Sequence, residues 1–209
     1  MTTKIKICGI TSLQDAEAAA FSRADYIGLI FVQESPRLVS YPVAQNIIEA
    51  VRGECQVVGV FMDHPVDFVR YTFDHLELDL AQYHGSETPD YLREVGVPAI
   101  KAFNLSPDFD WGQTSAYAGV VQSLLFDQDK QDPNPDWLSW ALTFLAQTPK
   151  DVPDFFLAGG LNAQNVGQAV QQLRPFGVDV ASGVERAPGV KDHLQIQEFC
   201  SAVREASRT

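Results

Sequence analysis

The sequence predicts a closed (β/α)8 barrel, the TIM-barrel fold, and three observations support this prediction. Eight short apolar runs alternate with helical segments along the 209 residues. The runs are rich in Val, Ile, Leu and Phe, as is typical of parallel strands covered on both faces. Several intervening segments begin with residues that favour helix starts. Eight strand–helix units fit a barrel better than the competing open doubly wound sheet, which has about five or six strands and leaves two edges.

The strand predictions rest on composition and spacing. Each run is bounded by glycine, proline or polar residues, and the spacing leaves room for a helix between neighbours. The predicted strands are 4–10, 26–31, 56–62, 78–84, 99–105, 121–127, 154–160 and 177–183.

Three helix starts carry recognisable capping residues. Ser12 precedes "LQDAEAAAFS" with Asp15 three residues on, close to a capping box. Thr88 followed by Pro89 predicts an N-cap with proline at the first helical position. Asn162 is expected to open the helix "AQNVGQAVQQL" in the same manner.

The last segment, 193–206, predicts an amphipathic closing helix. Leu194, Phe199 and Val203 are expected on its buried side. Cys200 within this helix is interpreted as a packing residue rather than a reactive one.

Composition limits the class of protein. With 45% hydrophobic residues, the chain has enough apolar material for one substantial core, and residues 1–209 are expected to form a single domain. No signal peptide or membrane-spanning run is evident, and three widely separated cysteines argue against a disulfide framework or a zinc site. These features predict a cytoplasmic protein without a membrane partner. A net charge of −12 disfavours nucleic acid as a partner.

In a (β/α)8 barrel the chemistry lies at the carboxyl ends of the strands. We therefore searched the strand ends and the loops that follow them for side chains and glycines that bind or react. The candidates are Cys8, Arg37, Gln82, His84, Asp127, Gly159, Gly160, Ser182 and Gly183.

Strand periodicity adds a prediction about acid and base character. Lys6 and Cys8 lie two residues apart and so point to the same side of the first strand. A nearby ammonium is expected to lower the pKa of the Cys8 thiol and make it a usable base near neutral pH. Asp127 shares a face with Leu125 and Ser123, and apolar surroundings are expected to raise its pKa so that it holds a proton.

Glycines follow the seventh and eighth strands, in "GGLN" and "SGVE". Backbone N–H groups approach a phosphate closely where no Cβ intervenes, and barrels often place a phosphate site at this position. The same pattern also occurs in ordinary turns, so it is a weak signal without further support.

Seven motifs in chain order resemble the phosphoribosylanthranilate isomerase family of tryptophan biosynthesis, and together they cover nearly the whole chain. They are "KICGIT" (6–11), "SPR" (35–37), "QYHG" (82–85), "LLFD" (124–127), "GGLNAQNV" (159–166), "DVASGVE" (179–185) and "GVKDH" (189–193).

The resemblance implies an Amadori rearrangement of a small phosphosugar substrate without metal or cofactor. It implies that Cys8 is the general base at C2 and that Asp127 is the general acid at the ring oxygen. By the same resemblance, Arg37 holds the anthranilate carboxylate, and the phosphate lies against Gly160, Gly183 and Ser182. The family occurs as monomers, homodimers and fused domains, and a monomer or homodimer is expected here.

The sequence also departs from the family pattern. The family's glycine-rich stretch after the sixth strand is replaced by "QDKQDPNPDW" (128–137), in which Asp129, Asp132 and Asp136 outnumber Lys130. Alanine stands at two positions where serine is common, 158 and 181. Two alternatives therefore stay open: an isomerase of another phosphosugar conjugate, and a non-catalytic phosphosugar-binding protein. The related two-aspartate isomerase of histidine biosynthesis is disfavoured, because Cys8 occupies the first position.

Overall fold

A computed structural model describes residues 2–129 and 136–208. Eight parallel strands form a closed barrel in chain order, with β8 paired back to β1. The barrel prediction is therefore confirmed. The strands are β1 (Lys4–Cys8), β2 (Tyr26–Ile30), β3 (Gln56–Phe61), β4 (Leu80–Tyr83), β5 (Ala99–Leu105), β6 (Ser123–Gln128), β7 (Phe155–Leu157) and β8 (Gly177–Val180).

A helix follows each strand on the outside of the barrel. The shortest, α5, has four residues. The helices are α1 (Leu13–Phe21), α2 (Tyr41–Val51), α3 (Val66–Leu76), α4 (Pro89–Val95), α5 (Gly112–Ser115), α6 (Trp137–Leu145), α7 (Val166–Leu173) and α8 (His193–Ala206). Within the described part of the chain, none is long and apolar enough to cross a membrane.

Strands β7 and β8 end earlier than predicted. The chain turns away after β7, where Gly159 and Gly160 both have positive φ angles. After β8 it forms a 3-10 turn over Ser182–Val184 and then an antiparallel hairpin of β9 (Glu185–Ala187) and β10 (Val190–Lys191). The sequence analysis missed this hairpin, whose strands have three and two residues.

Two of the three predicted helix starts are confirmed. The Ser12 hydroxyl accepts a hydrogen bond from the Asp15 N–H, and the Thr88 hydroxyl accepts one from the Tyr91 N–H. The prediction for Asn162 is wrong, because α7 begins three residues later, with Asn165 as its N-cap. The Asn162 carboxamide instead accepts from the N–H groups of Gln164 and Asn165, which closes a separate turn.

The closing helix has the predicted extent, but one of its residues faces outward. Phe199, Cys200 and Val203 are fully buried, as expected, whereas the Leu194 side chain is 63% exposed. At 3.6 residues per turn, Leu194 lies about 140° around the helix from Phe199 and cannot share its buried side.

The core has two layers separated by the barrel wall. Alternate strand residues such as Ile5 and Ile7 pack outward against the helices. The inward-facing residues form a smaller apolar cluster that fills the barrel: Tyr26, Val58, Leu80, Ile100, Ala102, Leu125, Phe156 and Ala158. Polar inward-facing residues lie nearer the carboxyl ends of the strands, where the candidate site is found.

Candidate functional site

The β1 strand delivers Lys6 and Cys8 to the interior of the barrel, as the two-residue period predicts. Cys8 lies opposite Gly28 of β2 in the strand register. A Cβ atom at Gly28 would lie 2.7 Å from the Cys8 Sγ and 3.1 Å from the Lys6 Nζ. Glycine at position 28 therefore provides the space that the thiol and the ammonium occupy.

Lys6 is neutralised by a carboxylate on the neighbouring strand. Lys6 and Asp179 of β8 are register partners, and the Nζ donates to the Asp179 Oδ1 at 3.0 Å. Both side chains are buried. Burial is the largest influence on Lys6 and opposes its charged form, but Asp179 and Cys8 together outweigh it and raise the pKa of the ammonium. Lys6 is therefore charged at neutral pH.

The expected lowering of the Cys8 thiol pKa is wrong in its net direction. The side chain is only 6% exposed, and burial raises the thiol pKa above its ordinary value. The ammonium groups of Lys6 and Lys191 oppose this rise, whereas Asp179 reinforces it. The local sequence shows Lys6 but neither the burial of the thiol, which is the largest cause of the raised pKa, nor Asp179, which adds to it.

Asp127 lies near the end of β6, which β7 and β8 separate from β1. Its carboxylate accepts from the N–H of Gln128 at 2.8 Å, and the His84 Nε2 lies 3.7 Å away. His84 is oriented by Gln82, whose Nε2 lies 3.3 Å from the His84 Nδ1. If that amide donates, the proton of the imidazole is on Nε2, facing Asp127. The surroundings of this carboxyl are therefore partly polar, whereas the sequence led us to expect apolar surroundings that include Leu125.

A cavity of about 390 Å³ opens between the ends of β6, β7 and β8. It contains most of the candidate binding residues predicted from sequence. Its lining consists of Arg37, Asp127, Gln128, Ala158, Gly159, Gly160, Leu161, Asp179, Val180, Ala181, Ser182 and Gly183. The lining does not include Cys8, Gln82 or His84. The Cys8 thiol is buried and interacts electrostatically with Asp179, which does line the cavity.

Two glycines of this cavity, Gly159 and Gly183, are required because a side chain there would collide with neighbouring atoms. Gly159 has φ +84, and a Cβ there would lie 2.6 Å from the Trp137 Nε1. At Gly183 a Cβ would lie 1.8 Å from the Leu161 carbonyl oxygen, so only glycine allows the two loops to approach. At Gly160 a Cβ would meet nothing within 4 Å. The space beside Gly160 is thus open to a ligand.

Arg37 is fixed beside Cys8 by a carboxylate that the sequence analysis did not select. Its Nε and Nη2 donate to the two oxygens of Glu185 at 2.8 and 2.7 Å. Its side chain crosses Gly9, where a Cβ would lie 2.6 Å from the Arg37 Cδ. The Arg37 guanidinium also reaches the same cavity as Asp127.

Comparisons with known proteins identify the family. The family model of N-(5'-phosphoribosyl)anthranilate (PRA) isomerase matches residues 5–202. The N-(5'-phosphoribosyl)anthranilate isomerase of Pseudomonas fluorescens is 38% identical, covering 97% of this chain and 96% of the relative. That of Dechloromonas aromatica is 34% identical over the full length of both chains.

The chain belongs to the N-(5'-phosphoribosyl)anthranilate isomerase family.

Solved structures of this family have the same fold. The Thermotoga maritima enzyme superposes with a TM-score of 0.87 at 31% identity and covers 98% of this chain and 100% of its own. A phosphoribosyl anthranilate isomerase in complex with reduced 1-(o-carboxyphenylamino)-1-deoxyribulose 5-phosphate superposes with a TM-score of 0.85, at 31% identity and the same coverage. The expectations of family, barrel fold and enzyme class are thus confirmed: this is an isomerase family of tryptophan biosynthesis.

The stretch after β6 that departs from the family pattern (128–137) is only partly within the described residues. Lys130 and Asp132 of the acidic stretch lie outside the described residues. Trp137 begins α6 and is buried against Gly159, which links the end of this stretch to the cavity floor. Ala158 and Ala181 both line the cavity, so the two departures from the family pattern fall at the site itself.

A larger cavity of about 550 Å³ lies at the other end of the barrel, at the amino ends of β1 to β3. Its charged lining is largely engaged in ion pairs, including Lys4 with Asp25 and Arg52 with Glu77. The smaller cavity is the better candidate for chemistry, since Asp127, Arg37 and the glycines of the family motifs line it. Across residues 2–129 and 136–208, no group of three metal-ligating side chains is close enough to hold an ion.

Several functional residues were missed by the sequence analysis. Asp179, Glu185 and Lys191 lie within motifs that resemble the family, but the motifs do not show which partners they contact. Gly9 and Gly28 are missed for the same reason, since their importance depends on side chains that pack over them. In each case, the missing information is a contact made across the closed barrel.

Proposed function

We propose that this enzyme converts N-(5-phosphoribosyl)anthranilate to 1-(2-carboxyphenylamino)-1-deoxyribulose 5-phosphate, with Cys8 as the general base and Asp127 as the general acid. One observation carries the proposal: Asp127 and Asp179 both line the cavity of about 390 Å³, and the buried Cys8 thiol interacts with Asp179. A protonated carboxyl and a thiolate at one site supply the two proton transfers that an Amadori rearrangement needs.

The acid step opens the sugar ring. Asp127 gives its proton to the furanose oxygen as the C1–O bond breaks, and the nitrogen lone pair forms a Schiff base at C1. The His84 Nε2 lies 3.7 Å from the Asp127 Oδ2 and therefore faces the carboxylate that this step produces. His84, which the sequence analysis selected as a strand-end candidate, is thus placed beside the proposed acid.

The base step completes the rearrangement. The Cys8 thiolate removes the proton from C2, and the electron pair moves to form an enolamine that tautomerises to the C2 ketone. Protons gained and lost balance, so no cofactor is needed. A thiol of raised pKa is a stronger base but is ionised in a smaller fraction of molecules at neutral pH. The ammonium groups of Lys6 and Lys191 oppose the rise in pKa and so limit the decrease in the ionised fraction of Cys8.

The remaining candidates bind the two charged ends of the substrate. Arg37 retains N–H groups beyond those given to Glu185 and is placed to receive the anthranilate carboxylate. The open space beside Gly160 and the neighbouring Ser182 and Gly183 suit a phosphate, because backbone N–H groups are accessible where side chains are absent. Positive charge from Arg37 offsets the chain's net charge of −12 at this point.

Removing each proton-transfer group tests the assignment. We expect Cys8→Ala and Asp127→Asn each to lower kcat by a factor of about 10² to 10⁴, or about 3–5 kcal/mol of barrier. Turnover is followed by the fluorescence of the anthranilate group and by complementation of a tryptophan auxotroph that lacks this step. Cys55→Ala and Asp74→Asn are matched controls outside the cavity. Near wild-type activity in Cys8→Ala would remove the proposed base.

A second candidate keeps the chemistry but changes the aglycone. It is favoured by Ala158 and Ala181 in the cavity wall and by the glycine-free stretch after β6. Assaying the anthranilate conjugate against a panel of phosphoribosylamines decides between the two. A binding protein without turnover is disfavoured, since a binding role does not require an acid and a base.

We further propose a cytoplasmic enzyme that folds as one domain and works as a monomer or homodimer. The free thiols of Cys8, Cys55 and Cys200 suit a reducing compartment. Cell fractionation tests the location, and sedimentation equilibrium tests the oligomeric state. One cooperative unfolding transition, seen equally by fluorescence and circular dichroism, is expected of a single domain.

A further inference from the structure

The β9–β10 hairpin places two buried charged groups between Arg37 and Cys8. The Glu185 side chain is 4% exposed and that of Lys191 is 0% exposed. The Glu185 Oε1 accepts from both the Arg37 Nε and the Lys191 Nζ, each at 2.8 Å, while its Oε2 accepts from the Arg37 Nη2 at 2.7 Å. One carboxylate therefore joins the two cations.

Lys191 extends this network to the carboxyl ends of two strands. Its Nζ donates to the carbonyl oxygen of Cys8 at 2.6 Å and to that of Ala181 at 3.0 Å, in addition to Glu185. These three acceptors use all three N–H donors of the ammonium. Lys191 is thereby committed to holding Glu185 in place relative to β1 and to the loop after β8, and it has no donor left for a substrate.

Glu185 fixes the orientation of Arg37 but leaves some of its N–H donors available. An arginine guanidinium has five N–H donors, and the bidentate pair uses two of them. The remaining donors are held in a fixed plane above Gly9, where they can receive a second carboxylate. The charge of Glu185 is secure: burial alone would raise its pKa, but Arg37 and Lys191 hold that pKa below its ordinary value.

We propose that Glu185 and Lys191 are positioning residues that preset Arg37 for the substrate carboxylate and so make the enzyme selective for a carboxylate-bearing aglycone. This inference rests on the proposed function, in which Arg37 receives the anthranilate carboxylate. Neither residue contacts the reacting atoms. The effect of Glu185 reaches the substrate through the orientation of one guanidinium, so it should appear in binding of the aglycone rather than in proton transfer. Lys191 has a second effect, because its charge also lowers the Cys8 thiol pKa.

The test compares two substrates that differ only at the proposed contact: N-(5-phosphoribosyl)anthranilate and its aniline counterpart, which lacks the carboxylate. For the anthranilate substrate we expect Glu185→Gln to lower kcat/KM about 10- to 100-fold, mainly through KM, because a ground-state contact is lost. For the aniline substrate the change should be less than about threefold, because Arg37 has no carboxylate to orient toward. Glu77→Gln, in the exposed pair with Arg52, is the matched control and should change neither value.

A double-mutant cycle shows whether Glu185 acts through Arg37. In an Arg37→Ala background, Glu185→Gln should cause no further loss of selectivity, because the side chain that it positions is gone. Lys191→Met should reproduce the selectivity loss of Glu185→Gln in direction. Equal losses on both substrates, or additive effects in the cycle, would overturn the proposal.

Folding is monitored for every variant by thermal unfolding. Glu185→Asp keeps the charge for Lys191 but shortens the reach to Arg37, and it should lose selectivity in the same direction by a smaller factor. If neither Glu185 variant folds, Glu185 is a stability residue and the positioning role is rejected. Wild-type turnover is measured first, since absence of turnover on both substrates refutes the proposed function itself, independently of Glu185.

Discussion

Replacing Gly28 by alanine is expected to disturb the thiol without touching the substrate. A Cβ at this position would lie 2.7 Å from the Cys8 Sγ, 3.1 Å from the Cys8 Cα and 3.1 Å from the Lys6 Nζ. The backbone of Gly28 does not have a positive φ, so alanine is compatible with the strand itself. The effect must therefore come from displacing Cys8, both its side chain and its backbone, and the Lys6 side chain.

The geometry sets the expected size of this effect. Overpacking of this kind typically costs about 1–3 kcal/mol of stability. A misplacement of about 1 Å at a reacting group costs about 10²-fold in rate, and Sγ must move by several tenths of an ångström or more to restore normal contact with the new Cβ. We therefore expect kcat to fall about 10- to 100-fold, with KM changing little.

Steady-state kinetics and urea unfolding measure the two effects separately. Gly167→Ala in α7 is the matched control, since the same methyl group there meets only the Ala206 Cβ at 3.9 Å. It should leave kcat unchanged and stabilise the helix by a few tenths of a kcal/mol to about 1 kcal/mol. If Gly28→Ala folds and keeps kcat within about twofold of wild type, the Cys8 thiol is not the group that limits proton transfer, and the reasoning fails.

Three further predictions follow from the buried charges. Lys6→Met leaves the Asp179 carboxylate buried without its cation and should cost about 3–5 kcal/mol in urea unfolding; an unchanged midpoint would contradict this. Because burial raises the Cys8 thiol pKa above its ordinary value, kcat/KM should keep rising on the alkaline side of neutrality, and a plateau already reached at neutral pH would be inconsistent with it. The lowered pKa of Glu185 predicts a stability advantage over Glu185→Gln that is complete above pH 4.5 and is lost as pH falls through the folded-state pKa, as acid unfolding of both proteins would show.

The strand pattern made the fold and half of the site predictable. Parallel strands buried on both faces have a recognisable composition, and eight of them leave few topologies other than a barrel. The two-residue period then placed Lys6 and Cys8 on one side, and the structure has them there. These inferences need only local sequence, because side-chain direction in a strand is fixed by position.

What could not be predicted depends on pairing across the barrel. Lys6 and Asp179 are 173 residues apart, and Lys191 and Cys8 are 183 apart. Only closure of β8 onto β1 brings these groups together. The direction of the thiol pKa was wrong for this reason: the nearby lysine is visible in the local sequence, whereas its partner Asp179 and the degree of burial are not.

The hydrogen-bonded groups around the Cys8 thiol contain one more cation than carboxylate. The set consists of Lys6, Lys191 and Arg37 together with Asp179 and Glu185. An ionised Cys8 would balance that charge, and so would a substrate carboxylate at Arg37. The same excess positive charge therefore stabilises both anions. The burial that fixes the thiol in place lowers the fraction of enzyme in which it is ionised, and the extra cation opposes that loss. Removing Lys191 should therefore weaken both carboxylate binding and thiolate formation, whereas removing Arg37 should act mainly on the carboxylate.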